Sequence, residues 1–244
     1  PKNPMNYDVP KEWFGDSLLV SSGAKWKRQR RLLTPVFHFD MLKPYVDVYN
    51  DCVEVLMDKW KRIANDGPIE IWEDISLLTL DSLLKCIFGV TSNCQVNKEH
   101  DMFVQTVKNF TRFATKKIRF ANLPPLLFRY FTSEGRQWEK TLQFLHNYSR
   151  QVIRNKKVQT NREDNKCLDF LDILLEAKYE DGSGLTDQEI QNEVSTFLFA
   201  GHDTTASGIS WCLYNLARYP EYQQTCRKEI DELMEKKENM ESKM

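Results

Sequence analysis

In the run Ala200-Gly201-His202-Asp203-Thr204-Thr205 a carboxylic acid stands directly before a hydroxyl, and two small residues stand one helical turn earlier. An acid beside an alcohol can pass protons through an intervening water, so the pair suits proton delivery to a bound oxygen species. Helical spacing puts Phe197, Ala200, Gly201, Thr204 and Gly208 on roughly one face, flat except for a single hydroxyl. A planar ligand can approach such a backbone closely. The run is also poor helix material: Gly201 costs on the order of 1 kcal/mol relative to alanine, and the β-branched threonines add less. A threonine hydroxyl can bond back to the carbonyl four residues earlier, here Thr204 to Ala200, which loosens the ladder and leaves room for a water. Two explanations of the face stand at this point. It is a ligand platform, or its small residues permit close crossing by another helix while His202 and Asp203 face solvent or cap neighbours.

A second constellation lies near the start, in Lys25-Trp26-Lys27-Arg28-Gln29-Arg30-Arg31. A spacing of four places the Trp26 indole and the Arg30 guanidinium on one helical face. An indole N–H and an arginine fork are both suited to carboxylates. The alternative is a solvated basic face with an anchoring tryptophan.

The elements that must carry these residues are mainly helical. Only 9 glycines and few alternating β-branched runs occur, 41% of the residues are hydrophobic, and a period near 3.6 recurs. Helices are predicted over 23–34 (stopped by Pro35), 40–64, 71–88, 102–117, 137–157 and 168–179. Leu123 to Phe131, broken by Pro124 and Pro125, reads as an apolar surface loop, and Gln159 to Lys166 has loop composition. Thr186-x-x-Glu189 has the form of a capping box, from which the longest helix runs to Tyr219; Pro220 starts the next. The acid–hydroxyl run therefore sits in mid-helix.

Lys+Arg 34 against Asp+Glu 35 leaves a net charge of -1, so no overall field favours nucleic acid. The six cysteines form no C-x-x-C pair, which argues against a zinc site or a dense disulfide framework. No run reaches the roughly 18 apolar residues of a membrane span.

Ala200-Gly201-x-Asp203-Thr204-Thr205 is similar to the signature of the long central helix in cytochromes P-450, in a form resembling family 4. Trp26-x-x-x-Arg30, followed by Arg31-Leu32-Leu33-Thr34-Pro35-x-Phe37, resembles the early helix that binds haem propionates in that family. Further likeness covers Trp13 to Asp16, Leu168 to Leu175 and Pro220 to Gln223. The resemblance implies the helical portion of the cytochrome P-450 fold, with 1–244 as part of one domain truncated at both ends and a charged tail at about 236–244. It implies haem b, dioxygen and electrons from NADPH through NADPH-cytochrome P-450 reductase. On this mapping Asp203 relays protons, Thr204 holds a water and the dioxygen, and Trp26, Arg30, Ala200, Gly201 and Thr205 bind the cofactor. Phe197, one face-repeat before Ala200, is a candidate substrate wall. Leu123 to Phe131 would touch the endoplasmic reticulum membrane on its cytosolic side. Lys27, Arg28 and Arg31 could face an acidic electron donor.

Two departures matter. Many family 4 enzymes carry, in place of Ala200, a glutamate that becomes ester-linked to haem; alanine cannot form that bond, so non-covalent haem is expected. The Glu-x-x-Arg helix and the Phe-x-x-Gly-x-x-x-Cys loop do not occur, so the haem-iron cysteine is absent from these residues. The implied reaction of the intact protein is insertion of one dioxygen-derived oxygen into a C–H bond of a lipophilic substrate, a fatty acid above all. The rival is a non-catalytic helical fragment or interaction module.

Overall fold

The computed structural model describes residues 4–65, 67–90, 93–96, 101–119, 124–160, 169–179 and 182–241. Helices dominate: α1 (Pro4–Phe14), α2 (Gly23–Leu33), a 3-10 turn (Thr34–Phe37), α3 (Phe39–Leu42), α4 (Tyr45–Ile63), α5 (Ile71–Phe88), α6 (Asp101–Arg119), α7 (Pro125–Phe131), α8 (Ser133–Thr160), α9 (Phe170–Glu176), α10 (Asp187–Arg218) and α11 (Pro220–Glu241). Among the described residues the β-structure is one antiparallel bridge, Lys178 to Gly184. A mainly helical fold is as the sequence implies. No helix of the described residues is long and apolar enough to cross a membrane.

The axis of the fold is α10, whose 32 residues span about 48 Å at 1.5 Å per residue. Thr186 starts it as predicted: its hydroxyl accepts from the Glu189 amide at 3.2 Å and the Glu189 carboxylate accepts from the Thr186 amide at 3.0 Å. Its main neighbour is α5, apolar almost all round and buried accordingly. Ile75, Leu80, Leu84 and Phe88 of α5 and Val194 and Leu198 of α10 are essentially inaccessible. Each such side chain contributes on the order of 1.5–3 kcal/mol relative to exposure. The α6–α8 layer and α1 close the other side of α10, where Trp13, Phe14 and Phe110 form an aromatic cluster.

Several expectations need correction. The helix predicted over 40–64 is two helices, because Pro44 between α3 and α4 cannot donate to a continuous ladder. The two prolines at 124 and 125 do not turn residues 126–131 into a loop. Pro125 takes the first position of α7, where its missing N–H costs nothing, and Pro124 supplies the extended residue before it. Leu123 lies outside the described residues, as does Cys167. The helix predicted from Gln137 begins four residues earlier, and that over 168–179 shortens to Phe170–Glu176. Its start is set by Asp169, which accepts from the Leu171 and Asp172 amides at 3.0 and 3.1 Å.

Candidate functional site

The Ala200–Thr205 run lies where α10 crosses α5, and its residues divide between two concavities. Ala200, Gly201 and Thr205, with Phe197, line a groove of about 530 Å³ walled also by α4 and α5. That volume falls in the range of about 300–1,000 Å³ usual for small-molecule and cofactor sites. Leu83 and Ile87 give the α5 wall an apolar surface, and Phe37 reaches the groove from the turn after α2. Asp203 and Thr204 turn instead into a polar crevice with Ser207 of α10, Lys108 and Thr111 of α6, and Trp72 of α5. The expected single face is thus two adjacent ones, with Thr204 on the polar side.

The two explanations of the small residues separate residue by residue. A Cβ on Gly201 would push the Leu83 side chain aside, so close packing against α5 favours glycine there. Ala200 meets no such constraint and is exposed on the groove side. Thr204 donates its hydroxyl proton to the Ala200 carbonyl at 2.7 Å, the back-bond expected from spacing. Its oxygen lone pairs remain available as acceptors.

His202 does not face solvent. It is 1% exposed, and its Nδ1 lies 3.0 Å from the Leu198 carbonyl, which puts the proton on that nitrogen. Burial lowers its pKa, so it stays neutral and packs on Phe103 with ring centroids 5.5 Å apart. The backbone carbonyl of His202 accepts from Thr79 Oγ1 at 3.1 Å, locking α10 to α5 beside the acid–hydroxyl pair. Asp203 is half-buried. Burial raises its pKa, only partly opposed by His202, so it keeps a proton to higher pH than a free carboxylate.

Trp26 and Arg30 share the exposed side of α2, and Trp26 is 39% exposed. Neither side chain is hydrogen-bonded among the described residues, so both donors are available to a carboxylate. They do not line the groove; the link is the turn after α2, where Phe37 stacks on Phe197 at 5.9 Å. Phe170 lies 4.4 Å from Phe197, a contact that sequence spacing could not reveal. The groove also takes in Tyr45, Tyr49 and Cys86, which sequence reasoning missed because nothing local marks them. Burial pushes the Cys86 thiol up to about 12, so it is inert as a nucleophile. Lys27, Arg28 and Arg31 line a separate basic concavity on the other side of α2, where Arg28 lies 4.2 Å over the Tyr179 ring.

An apolar groove floored by small residues suits a flat apolar ring system, and the arginine and indole donors exposed on α2 suit carboxylates. Haem is such a group. The family model described as Cytochrome P450 matches residues 1–244. This chain belongs to the cytochrome P450 family. It is 41% identical to human cytochrome P450 4F11 over 253 residues, covering 99% of this chain and 48% of that protein. It is also 41% identical to mouse leukotriene-B4 omega-hydroxylase 3, over 97% of this chain and 47% of that protein. Human ultra-long-chain fatty acid omega-hydroxylase is 41% identical over 98% of this chain and 46% of its own length. The chain spans about half the length of the curated relatives it matches.

Proposed function

We propose that the protein these residues build is a haem-dependent monooxygenase that hydroxylates a lipophilic substrate, in particular a fatty acid near its terminal carbon. The observation that carries the proposal is the apolar groove lined by Ala200, Gly201 and Thr205 adjoining the polar crevice lined by Asp203 and Thr204. The names of the relatives, omega-hydroxylases of leukotriene B4 and of ultra-long-chain fatty acids, support the substrate class.

In this assignment Ala200, Gly201 and Thr205 lie against the porphyrin, and Trp26 and Arg30 hold its propionates. Bound haem supplies activation of dioxygen, with electrons from NADPH through a reductase. The chain's own residues handle protons and exclude water. Asp203, whose pKa burial raises, is the proton donor of the crevice, and a water held by Thr204 would carry that proton on to a bound oxygen species. Thr204 accepts a hydrogen bond from that water while its hydroxyl donates one to the Ala200 carbonyl. Phe197, packed between neighbouring phenyl rings, bounds the substrate side. With alanine at position 200, the haem is held without an ester bond.

A reduced carbon-monoxide difference spectrum of the complete protein tests the assignment, followed by extraction of the pigment into acidified organic solvent. A thiolate-haem band and fully extractable haem are expected. Absence of the band sinks the enzyme assignment, and haem remaining on the polypeptide sinks the non-covalent one.

The reductase is proposed to approach the basic surface of α2, and the endoplasmic reticulum membrane to meet α7. Leu126, Tyr130 and Phe131 of α7 are exposed, Phe131 to 78%, and form an apolar surface of the kind that lies in a lipid interface. Burying each of two such side chains contributes on the order of 1.5–3 kcal/mol. The double substitution Leu126→Ser/Phe131→Ser should therefore lower vesicle partitioning by about tenfold or more in a sedimentation assay. Unchanged partitioning would remove α7 as the contact.

A further inference from the structure

Glu193 lies in the buried part of α10, 1% exposed, upstream of the groove and outside both concavities of the site. Its two carboxylate oxygens accept from a single backbone donor, the Leu18 amide, at 2.9 and 3.2 Å. Leu18 belongs to the connection 15–22 between α1 and α2. One residue earlier, Ser17 accepts from Thr196 Oγ1 at 2.6 Å. Gly15 takes the left-handed region at φ +55, where a Cβ would run into the Asn192 side chain. Three residues within one turn and a half of α10 therefore hold this connection.

The same connection is bonded to α2. Gln29, 3% exposed, donates to the Asp16 carbonyl at 3.1 Å and accepts from Ser21 Oγ at 2.6 Å. Lys25 pairs with Asp16 at 2.8 Å. Lys25 and Gln29 are the immediate neighbours of Trp26 and Arg30. The segment Asp16-Ser17-Leu18 is thus bonded to Glu193 at one end and, at the other, to the helix that carries the two carboxylate donors.

We propose that Glu193 is a positioning residue that sets α2, and with it Trp26 and Arg30, at a fixed height along α10. The significance for haem rests on the assignment of Trp26 and Arg30 to the propionates. The apolar anchors of α2, Leu32 and Leu33, lie at its C-terminal end, so the helix before them is fastened through Lys25 and Gln29.

The contact is titratable. Burial raises the Glu193 carboxyl to about 7, against the pull of the Leu18 amide and of Lys25; Glu189 on its own helix and Asp16 in the connection push the same way as burial, and Tyr179 lies close enough to couple. By linkage, the docked form binds the proton more tightly than an opened form, in which the carboxylate reaches water. Docking is therefore strongest below the free carboxylate pKa and weakens as pH rises from there to about 7, above which both forms are ionised and the dependence ends.

Hydrogen exchange of the full chain, read by mass spectrometry and corrected for intrinsic rates, tests this from about pH 4 to about pH 8. Protection of residues 17–22 should fall by up to about tenfold per pH unit between the free carboxylate pKa and about 7, and level off above it. Glu193→Gln keeps an acceptor for the Leu18 amide but cannot ionise, so its protection should stay level with pH. A level profile in the unsubstituted chain, or equal slopes in both, would overturn the proposal. Haem transfer to apomyoglobin, followed at the same pH values, separates the two assignments. Release that quickens with lost protection supports both, whereas release that stays level while protection falls overturns the propionate role of Trp26 and Arg30 and leaves the clasp in place.

Discussion

Replacing Thr204 by alanine is expected to lower product formation by the complete protein by roughly a hundredfold, the lower end of what a positioned proton-transfer group contributes. Haem retention should be unaffected, since Thr204 lies on the crevice side with Asp203 and not on the groove wall. Reductant should still be consumed, because electron delivery does not pass through the hydroxyl. The measurement is hydroxylated product formed per NADPH oxidised. Thr204→Ser, which keeps the hydroxyl, should recover much of the coupling; equal coupling in the alanine and parent proteins would end the role given to Thr204. Asp203 should leave its own mark on the pH profile. With its pKa raised by burial, the acid is lost on the alkaline side of the ordinary aspartate range, and the coupled rate should fall there. Asp203→Asn should remove that limb.

The largest expected effect on stability lies outside the site. Lys156 of α8 is 3% exposed and its ammonium is bonded to two buried carboxylates, Asp169 and Asp172, the latter at 2.8 Å. Those aspartates form the reciprocal cap of α9, and Gly89, in the left-handed cap of α5, leaves room that a Cβ would take from Asp169. One ion cluster therefore joins the ends of α5, α8 and α9. Lys156→Met would leave two carboxylates buried without their cation, at a cost of about 3–5 kcal/mol. For a chain of this size that is a fall in Tm on the order of 10 °C. Lys156→Met combined with Asp169→Asn and Asp172→Asn should recover most of the loss, since asparagine still caps a helix and no charge stays buried. Urea unfolding of the single and triple variants checks both, and a single variant as stable as the parent would contradict the assignment of the cluster.

Much of this architecture was legible in the order of residues. The capping box at Thr186 and Glu189, the proline at 220 and the apolar periods between them are local signals, and local hydrogen bonding obeys them whatever packs outside. The acid–hydroxyl run and Trp26-x-x-x-Arg30 were likewise visible, because chemistry of that kind needs particular side chains at particular helical offsets. Proline misled twice in opposite directions. Pro44 split a helix that periodicity would have continued, and Pro125 began one where two prolines suggested a loop, since its effect depends on the position it takes in the helix.

What the chain determined by itself, then, is its helices, the family to which it belongs and the residues that can do chemistry. Tertiary structure alone decided how those residues are shared out. Close crossing with α5 favours a small residue at 201 and sends His202 inward, and it leaves Thr204 in a crevice apart from the groove that Ala200 and Thr205 line. Glu193 drew no notice in the sequence, because a glutamate in an amphipathic helix is ordinarily solvated. Only the connection 15–22, folding back from far away in the chain, encloses it and gives its carboxylate one amide to hold. Helical spacing fixes which side chains share a face, whereas which face meets α5, α6 or water depends on contacts between residues distant in sequence.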